Sequence, residues 1–574
     1  MAISQSMYVV SNHRDYKGKT YWCHLLVHGY RDEDGKVKRK TLANLSHLPL
    51  PVIETIKAML KGEPFFSEEA LALHSTKLHG HVEAILEAMT RLGFPELLDD
   101  QPSMARDIIM AMIVARIIKP LSKLSTYQWW GTTSLTEEFE LNDIDEDGLY
   151  SALDWLLDKK ENIESKLINK HISNGSFIYY DLSSSYFEGH NCSLARFGHS
   201  RDKKRGKKQV NYGLVADHQG RPLRIELFPG NTSDVATFFP MVETLLAKYN
   251  LSKVVFVGDR GMISGKTILT IRNKMPDINW ITALKSVSIR SLVEKEKVEP
   301  SKFDETNLFE IEAPDEYPGE RLIFCRNPLL AVYRTKNRND LLEATEKILA
   351  EIEKRVLSGS LKGKQQIGLA VGQSINKYKM KKHFIVDIDD NIFKYRRNVD
   401  KIKIEQSLDG IYVIRTSLSS DDCPAVDCVR HYKRLTQVER DFRSLKTVDL
   451  KVRPIFHYRE DRVKSHFFFC LLANYVTWHL KNAWKELTYM DENPEYKGNS
   501  APIMPLKPSN EVKDKINKRF NSIGLPIYSF RVLLDVMSTL TVCTYSIPGT
   551  DKTISIKTAP TAIQRRALEL VKQI

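Results

Sequence analysis

Apolar residues recur at helical spacing through residues 424–449, and this pattern predicts a helix. Pro424 and the three polar residues shortly before it supply a start signal. Tyr432, Glu439 and Lys446 are seven residues apart, about two helical turns, so they line one face. A solvated face with ordinary pairing between successive turns is the alternative interpretation. The buried stripe is predicted to contain Val429, Leu435, Val438, Phe442 and Leu445.

Residues 176–290 follow an α/β pattern. An apolar strand is predicted to end at Asp181. Two more strands, joined by a turn at Gly220, are predicted next, and a helix is predicted over 234–250. The next strand is apolar without alternation, which indicates burial on both faces, and it ends at Asp259. A helix near 264–275 and a strand over 279–285 complete the pattern.

The remaining patterns divide the chain around this core. An Asp34-Gly35 hairpin signal predicts a small N-terminal β unit, and the segments after it, from Ala72 onward, predict helices. Short strands, among them KIKIEQS (401–407), and a charged helix near 339–358 predict a β-rich insertion. We therefore expect six regions: a β-hairpin unit (1–65), a helical domain that is a candidate for DNA-end recognition (66–175), the first part of the core (176–290), the β-rich insertion (291–422), the second part of the core (423–490), and a C-terminal region with candidate assembly or DNA contacts (491–574).

Composition favours a polyanionic partner. The 574 residues carry a net charge of +13, which points to nucleic acid first, although a basic protein without such a partner has the same charge. The seven cysteines are scattered and contain no C-x-x-C pair, which argues against a disulfide scaffold or a zinc site. The longest apolar runs, 108–115 and 467–473, are too short to span a bilayer, and the N-terminus lacks a signal-peptide pattern. We expect a cytoplasmic protein without membrane contacts.

Two aspartates at strand ends suggest a metal site. Ligands collect at the carboxyl ends of strands in open α/β sheets, and Asp181 and Asp259 would place two negative charges there. Carboxylate oxygens of this kind suit Mg²⁺, with substrate phosphate and water completing the coordination. With Glu439 from the helix, the set predicts a two-metal phosphodiester site.

Three blocks of sequence then resemble a known family. They are YYDLSSSYFEG, which contains Asp181; the run from NYGLVAD and LFPGNTSD to VFVGDRGM, which contains Asp259; and YKRLTQVERDFRSLK, which contains Glu439. In this order they are similar to the DDE transposases of bacterial insertion sequences, in the group with a Tyr-Arg-Glu-Lys signature on the last catalytic helix. The N-terminal hairpin with TLANLSHLP also resembles one subgroup of these proteins.

The resemblance implies an α/β fold in which an RNase H-like mixed sheet is interrupted by a β-rich insertion. It implies that Asp181, Asp259 and Glu439 are catalytic and bind Mg²⁺, for which Mn²⁺ can substitute. It further implies double-stranded DNA partners, namely terminal inverted repeats and target DNA, and a homodimer or larger assembly. Hydrolysis of a phosphodiester would free a 3′-OH, which is then joined to the target.

Basic and aromatic side chains near these carboxylates are the candidate DNA contacts. Leu435 stands where the signature has Arg, and Asp234 is expected to cap the following helix. Basic residues in the loop 201–208 lie between two core strands. The candidate contacts are Tyr432, Arg434, Arg443, Lys446, Lys203, Lys204, Arg205, Lys207 and Lys208.

Two rival functions share these features. An RNase H-like nuclease would cut DNA without joining it. An inactive or domesticated copy would bind DNA without cutting it.

Overall fold

The computed structural model describes most of the chain, in two compact units. Described are residues 6–32, 34–62, 72–202, 204, 206–249, 251–295, 300–312, 314–492, 502–503, 508–546 and 552–574. One unit comprises residues 1–77 and 541–559, and the other comprises residues 78–540 and 560–574.

Sixteen strands lie within the described residues. They are β1 (Ser6–Tyr16), β2 (Lys19–Arg31), β3 (Val37–Asn44), β4 (Ala72–Leu78), β5 (Phe177–Tyr186), β6 (Gln209–Ala216), β7 (Pro222–Pro229), β8 (Val255–Val257), β9 (Asn279–Ala283), β10 (Leu308–Glu312), β11 (Arg321–Arg326), β12 (Phe384–Asp389), β13 (Ile392–Arg397), β14 (Ile411–Thr416), β15 (Thr541–Ser546) and β16 (Thr553–Lys557).

The same part of the chain contains eighteen α-helices. They are α1 (Leu50–Leu60), α2 (Gly80–Arg91), α3 (Phe94–Leu98), α4 (Met104–Ile118), α5 (Lys123–Trp130), α6 (Leu135–Glu138), α7 (Glu146–His171), α8 (Asp234–Tyr249), α9 (Gly265–Lys274), α10 (Ser286–Lys295), α11 (Pro328–Leu357), α12 (Lys364–Lys377), α13 (Val399–Ser407), α14 (Ala425–Arg443), α15 (Glu460–Ala483), α16 (Asn510–Lys518), α17 (Phe530–Ser538) and α18 (Ala562–Val571). No described helix has the length and apolar character needed to cross a membrane.

The smaller unit is built on two three-stranded sheets. The predicted hairpin at Asp34-Gly35 is confirmed: it joins β2 and β3, Gly35 has a φ of +77°, and β1 adds a further antiparallel strand. The helix predicted from Ala72 is wrong over its first seven residues, which form β4 beside β15 of the C-terminal region. That pairing partner lies far along the sequence, so local periodicity could not indicate it.

An eight-stranded mixed sheet organises the larger unit, in the order β10-β11-β14-β9-β8-β5-β6-β7. Strands β5, β6 and β7 form an antiparallel meander, whereas β5, β8 and β9 are parallel. The predicted α/β pattern of residues 176–290 is therefore confirmed. Strands β10, β11 and β14 extend the same sheet, because β14 pairs with β9 in antiparallel register.

The stretch predicted as a β-rich insertion contains substantial helix. The segment KIKIEQS forms α13 rather than a strand, so that prediction is wrong. Asn398 caps this helix by accepting a hydrogen bond from Lys401 N, and such a cap favours helix over strand. Helices α11 and α12 pack with the β12–β13 hairpin around a small core of their own. The charged helix predicted near 339–358 is confirmed as the later part of α11.

Helices α7 and α15 cover one part of the sheet and carry much of the core. Helix α15 is buried over most of its length, including Phe467, Phe468 and Phe469, as its apolar sequence predicts. A buried ionic cluster fastens α7 to β7: Glu164 accepts hydrogen bonds from Lys160 Nζ at 2.9 Å and from Arg224 Nη1 at 2.5 Å. Burial raises the pKa of Glu164, and the two cations oppose that rise.

Replacing Glu164 with alanine should lower the free energy of unfolding by about 3 kcal/mol or more, because two buried cations lose their main counter-charge. Denaturant unfolding of the two proteins measures the difference. Glu161→Ala is the matched control: its carboxylate is about half exposed, so we expect a loss below about 1 kcal/mol. Equal losses in the two variants would contradict this account.

Candidate active site

The pairing of two parallel strands ends close to both Asp181 and Asp259. Tyr179 of β5 is paired with Val257 of β8, and each aspartate lies two residues further along. Asp259 follows two residues after the end of β8, and its negative charge acts on Asp181, so the two carboxylates are near one another. Asp181 lies in the middle of β5, not at its end as predicted, but it lies just beyond the point where pairing with β8 stops.

The electrostatics of Asp181 indicate that three carboxylates converge. Burial raises the pKa of Asp181 to about 6. The Leu182 N–H and Arg201 oppose the rise, whereas the negative charges of Asp259 and Glu439 add to it. Asp259 is exposed, and its Oδ1 accepts a hydrogen bond from Arg260 N at 2.7 Å.

Helix α14 carries Glu439 and is fastened to the sheet near both of its ends. The predicted helix over 424–449 is confirmed as α14 followed by a π-helical turn, Ser444–Val448. Near its start, His431 stacks on Phe177 at 3.6 Å between ring centroids, and its Nδ1 lies 2.7 Å from the Tyr179 hydroxyl. Near its end, Phe442 packs edge-on against Tyr212 at 5.6 Å. These contacts fix which side of the helix faces β5.

Tyr432 lies on the carboxylate side of α14. Burial raises its pKa to about 12, and its other electrostatic neighbours include Asp259 and Arg260. Lys446 lies in the π-helical turn, where its Nζ is 3.3 Å from Asp202 Oδ1. Burial lowers the pKa of Lys446.

Two arginines of α14, Arg434 and Arg443, were predicted DNA contacts. Arg434 Nη1 donates a hydrogen bond to the carbonyl oxygen of His218 at 3.4 Å, in the turn between β6 and β7. Leu435 packs against the core, as predicted, and Arg443 is exposed. Arg201 acts electrostatically on Asp181, and Arg260 acts on Tyr432; reasoning from the sequence missed both arginines. Both lie in stretches already singled out, RDKKRGKK and VFVGDRGM, but neither was among the predicted contacts.

An ion pair between a carboxylate and an arginine borders the site. Arg201 Nη2 lies 2.7 and 2.8 Å from the two carboxylate oxygens of Asp234. Gly261 lies between acids: a Cβ there would be 3.6 Å from Asp234 Oδ2 and 3.7 Å from Asp259 Oδ2. Asp234 begins α8, where a cap was expected, but its carboxylate also holds Arg201 beside the site.

Buried amides on β6 hold the two loops that carry Arg201 and Asp234. Gln209 Nε2 donates to the carbonyl oxygens of Gly230 at 2.8 Å and His199 at 3.2 Å. Asn211 Nδ2 donates to Thr232 O at 2.9 Å. A side chain at position 230 would meet Gln209 O at 2.0 Å, so this close approach requires glycine.

The basic loop 201–208 is only partly described. Lys203 and Arg205 lie outside the described residues. Lys204, Lys207 and Lys208 are exposed; Lys207 forms an ion pair with Glu188 at 2.6 Å.

The donor set suits a hard divalent cation. Among the described residues, no three His, Cys, Asp or Glu side chains are close enough to hold a metal ion unaided. Mg²⁺, however, commonly takes one or two carboxylates and completes its coordination with substrate phosphate and water. The aligned Asp181 and Asp259, with Glu439 nearby, meet that requirement.

Comparisons with known proteins agree with the sequence blocks. The family model described as "Transposase DDE domain" matches residues 188–475, about half of the chain, beginning just after Asp181. The model described as "IS1634 family transposase, N-terminal domain" matches residues 10–72. No curated protein matches the chain. A cryo-EM structure of piggyBac transposase in a synaptic complex with hairpin DNA is 8% identical, with 77% of this chain and 83% of that chain covered. Its TM-score of 0.35 does not define a common fold.

Replacing Asp181 with asparagine should stabilise the protein in EDTA by about 1–2 kcal/mol, because the isosteric amide removes a crowded, buried negative charge. Added Mg²⁺ should raise the melting temperature of the wild type and have little effect on the variant. Thermal unfolding with and without Mg²⁺ measures both effects. The control is Asp277→Asn, at an exposed position, and this variant should behave as wild type. A variant that is less stable than wild type in EDTA would contradict the crowding of these carboxylates.

Proposed function

Because the chain belongs to the DDE transposase family and is an insertion-sequence transposase that cuts and joins DNA, we propose that Asp181, Asp259 and Glu439 are its catalytic carboxylates. The observation that supports this assignment is the β5–β8 pairing, which ends two residues before each aspartate, together with the effect of the Asp259 charge on the pKa of Asp181. The effect of Glu439 on the pKa of Asp181 supports including α14 in the same site. In this proposal one site hydrolyses a phosphodiester at the element's end and then joins the freed 3′-OH to target DNA.

The three carboxylates would hold Mg²⁺, or Mn²⁺ in its place. When bound, divalent metal activates the attacking oxygen and stabilises the leaving oxygen of an in-line displacement. The protein's contribution is to hold the carboxylates in place: the β5–β8 register fixes the aspartates, and the contacts of His431 and Phe442 fix the helix.

Tyr432 and Lys446 would position the DNA end. The Tyr432 hydroxyl stays protonated at neutral pH, since its pKa is about 12, so it can donate a hydrogen bond to a phosphate oxygen. Lys446 would exchange its contact with Asp202 for a phosphate. Arg434 and the exposed Arg443 would contact the DNA backbone farther from the carboxylates.

Arg260 would take the part that the signature gives to an arginine at position 435. It follows a catalytic aspartate directly and lies near Tyr432, as its effect on the pKa of Tyr432 indicates. A cation there neutralises negative charge that develops on the phosphate during displacement.

The remaining regions would serve recognition and assembly. The β5–β9 part of the sheet with α8, α9 and α14 would be an RNase H-like core that residues 291–422 interrupt. We propose that residues 66–175 recognise the terminal inverted repeat, and that residues 1–65 and 491–574 support DNA contacts and assembly. The basic loop 201–208 would follow the DNA backbone, and two or more copies would pair two DNA ends.

Glu439→Gln should retain DNA binding but lose cleavage by about three orders of magnitude or more. The amide keeps the size of the side chain and removes its charge. Gel-based cleavage and joining on a duplex carrying the element's terminal repeat, with Mg²⁺ or EDTA, measures the effect. Glu351→Gln, at an exposed position on α11, is the control. Full cleavage by Glu439→Gln would overturn the assignment, and cut DNA without joined product from the wild type would favour a nuclease.

Arg260→Ala should reduce cleavage about a hundredfold, as expected for loss of a group that stabilises transition-state charge. Arg434→Ala should reduce it far less, because Arg434 is directed to the His218 carbonyl. Single-turnover cleavage rates at saturating protein compare the two variants. The reverse order of effects would assign the signature role to Arg434.

A further inference from the structure

Two buried cysteines meet where α14 begins. Cys423 and Cys428 flank Pro424, which occupies the N-cap position of this helix, and both side chains are buried. Their sulfur atoms are 3.1 Å apart, about 1 Å more than the length of a disulfide bond. The two thiols are therefore placed for a covalent bond between them.

Two other interpretations of the pair explain less. Residues directly before the N-cap and four positions after it commonly pack together and fix the entry of the chain into a helix. Such packing needs only apolar contact and does not account for a charged neighbour. A metal ion held by both thiolates would keep the sulfurs farther apart, because each metal–sulfur bond is about 2.3 Å long. Among the described residues, no third ligand completes such a site.

The charged neighbour is Arg321 of β11, which is buried. Its Nη2 lies 3.1 Å from Cys428 Sγ and donates a hydrogen bond to the carbonyl oxygen of Cys423. Its Nη1 forms an ion pair with Glu310 at 3.2 Å. A guanidinium beside a sulfur atom favours the thiolate, which is the form that reacts with oxidants.

The two thiols differ in environment and in access. The hydrogen bond from Cys428 lowers the pKa of Cys423; burial opposes this effect, and the charge of Arg321 assists it. The same interaction with Cys423, together with burial, raises the pKa of Cys428. Cys423 is 3% exposed and follows four exposed residues, 419–422, whereas Cys428 is fully buried. Cys423 is therefore the thiol that a small oxidant reaches first, and Cys428 reacts from inside.

We propose that Cys423 and Cys428 are an oxidative modification site, at which a peroxide forms a reversible disulfide that fixes the first turn of α14. The Cys423 thiolate attacks one peroxide oxygen, the O–O bond breaks, and the other oxygen takes up a proton and leaves as water. The Cys428 sulfur then attacks the resulting sulfenic acid, an S–S bond replaces the S–O bond, and a second water leaves with the proton of Cys428. Two thiols are thus oxidised by two electrons to one disulfide, and one peroxide is reduced to two waters.

The bond would act on a helix that has a part in the candidate active site. Cys428 lies about one turn before His431, whose ring stacks on Phe177 of the sheet. The same helix carries Glu439 further along. Oxidation would therefore join the connection after β14 covalently to the helix that brings the third carboxylate.

The test treats the full-length protein with increasing concentrations of hydrogen peroxide and then denatures, alkylates and digests it with trypsin. Both cysteines fall within one tryptic peptide, residues 416–430. We expect this peptide to lose the mass of two hydrogen atoms and to stop reacting with iodoacetamide, and dithiothreitol should restore both thiols. Cys470, a fully buried cysteine of α15, is the internal control and should stay reduced.

Variants separate the roles of the two sulfurs. In Cys428→Ser, Cys423 has no partner thiol, so peroxide should convert it to a sulfenic acid that dimedone traps. In Cys423→Ser, the fully buried Cys428 should remain a thiol. Arg321→Met should slow oxidation of the pair about fivefold or more, because it removes the charge that favours the thiolate.

Hydrogen exchange measures the effect on the helix. Backbone amides of residues 425–431 should exchange about fivefold or more slowly in the oxidised protein than in the reduced protein, since the bond closes a short loop at the start of α14. Cys428→Ser is the control: after the same treatment its exchange should match that of the reduced wild type.

Two results would overturn the inference. If both thiols still react with iodoacetamide after peroxide treatment, or if Cys423 is oxidised no faster than Cys470, the pair is not an oxidative site. If the disulfide forms and the exchange of α14 is unchanged, the bond does not fix the helix. Neither measurement involves DNA cleavage, so the inference is tested separately from the proposed function.

Discussion

The molecule depends on holding three negative charges in one place. Asp181 is half-buried, and the charges of Asp259 and Glu439 act on it. Neighbouring carboxylates repel one another, so contacts elsewhere in the protein must stabilise the arrangement. Parallel strands supply it for the aspartates, and the stacking of His431 on Phe177 supplies it for the helix. Much of the local packing therefore serves to keep together groups that would otherwise move apart.

The position of the cations follows from the same constraint. The signature places an arginine on the catalytic helix, but in this chain Leu435 uses that position to anchor the helix in the core. Positive charge comes from loops beside the sheet instead: Arg201, before β6, acts on Asp181, and Arg260, after β8, acts on Tyr432. Asp234 fixes the orientation of Arg201, and the buried amides of β6 fix the loops that carry both residues. The same electrostatic requirement is met from different backbone positions.

Sequence reasoning predicted the elements whose determinants are local. The helix over 425–443, the Asp34-Gly35 hairpin and the order of strands and helices around Asp181 and Asp259 follow from periodicity and turn chemistry. The misassigned elements depended on distant partners or local caps: Ala72–Leu78 is a strand because β15 pairs with it, and residues 399–407 are helical behind an Asn398 cap. The Arg201–Asp234 pair joins residues 33 apart, a contact that no single segment encodes. The acidic residues could be predicted because Asp181 and Asp259 follow apolar runs and Glu439 lies on a strongly periodic helix, whereas Arg201 and Arg260 lie in loops.

The arrangement of the large sheet also governs when the site comes into existence. Strand β14 closes onto β9 only after the long segment between them has been made, and α14 follows β14 in the chain. At about 5–20 residues per second, the roughly 180 residues from Asp259 to Glu439 take on the order of 10–40 s to synthesise. Throughout that interval the growing chain contains Asp181 and Asp259 but not yet Glu439. If the proposed carboxylates are catalytic, a polypeptide whose translation stops early therefore lacks part of the site.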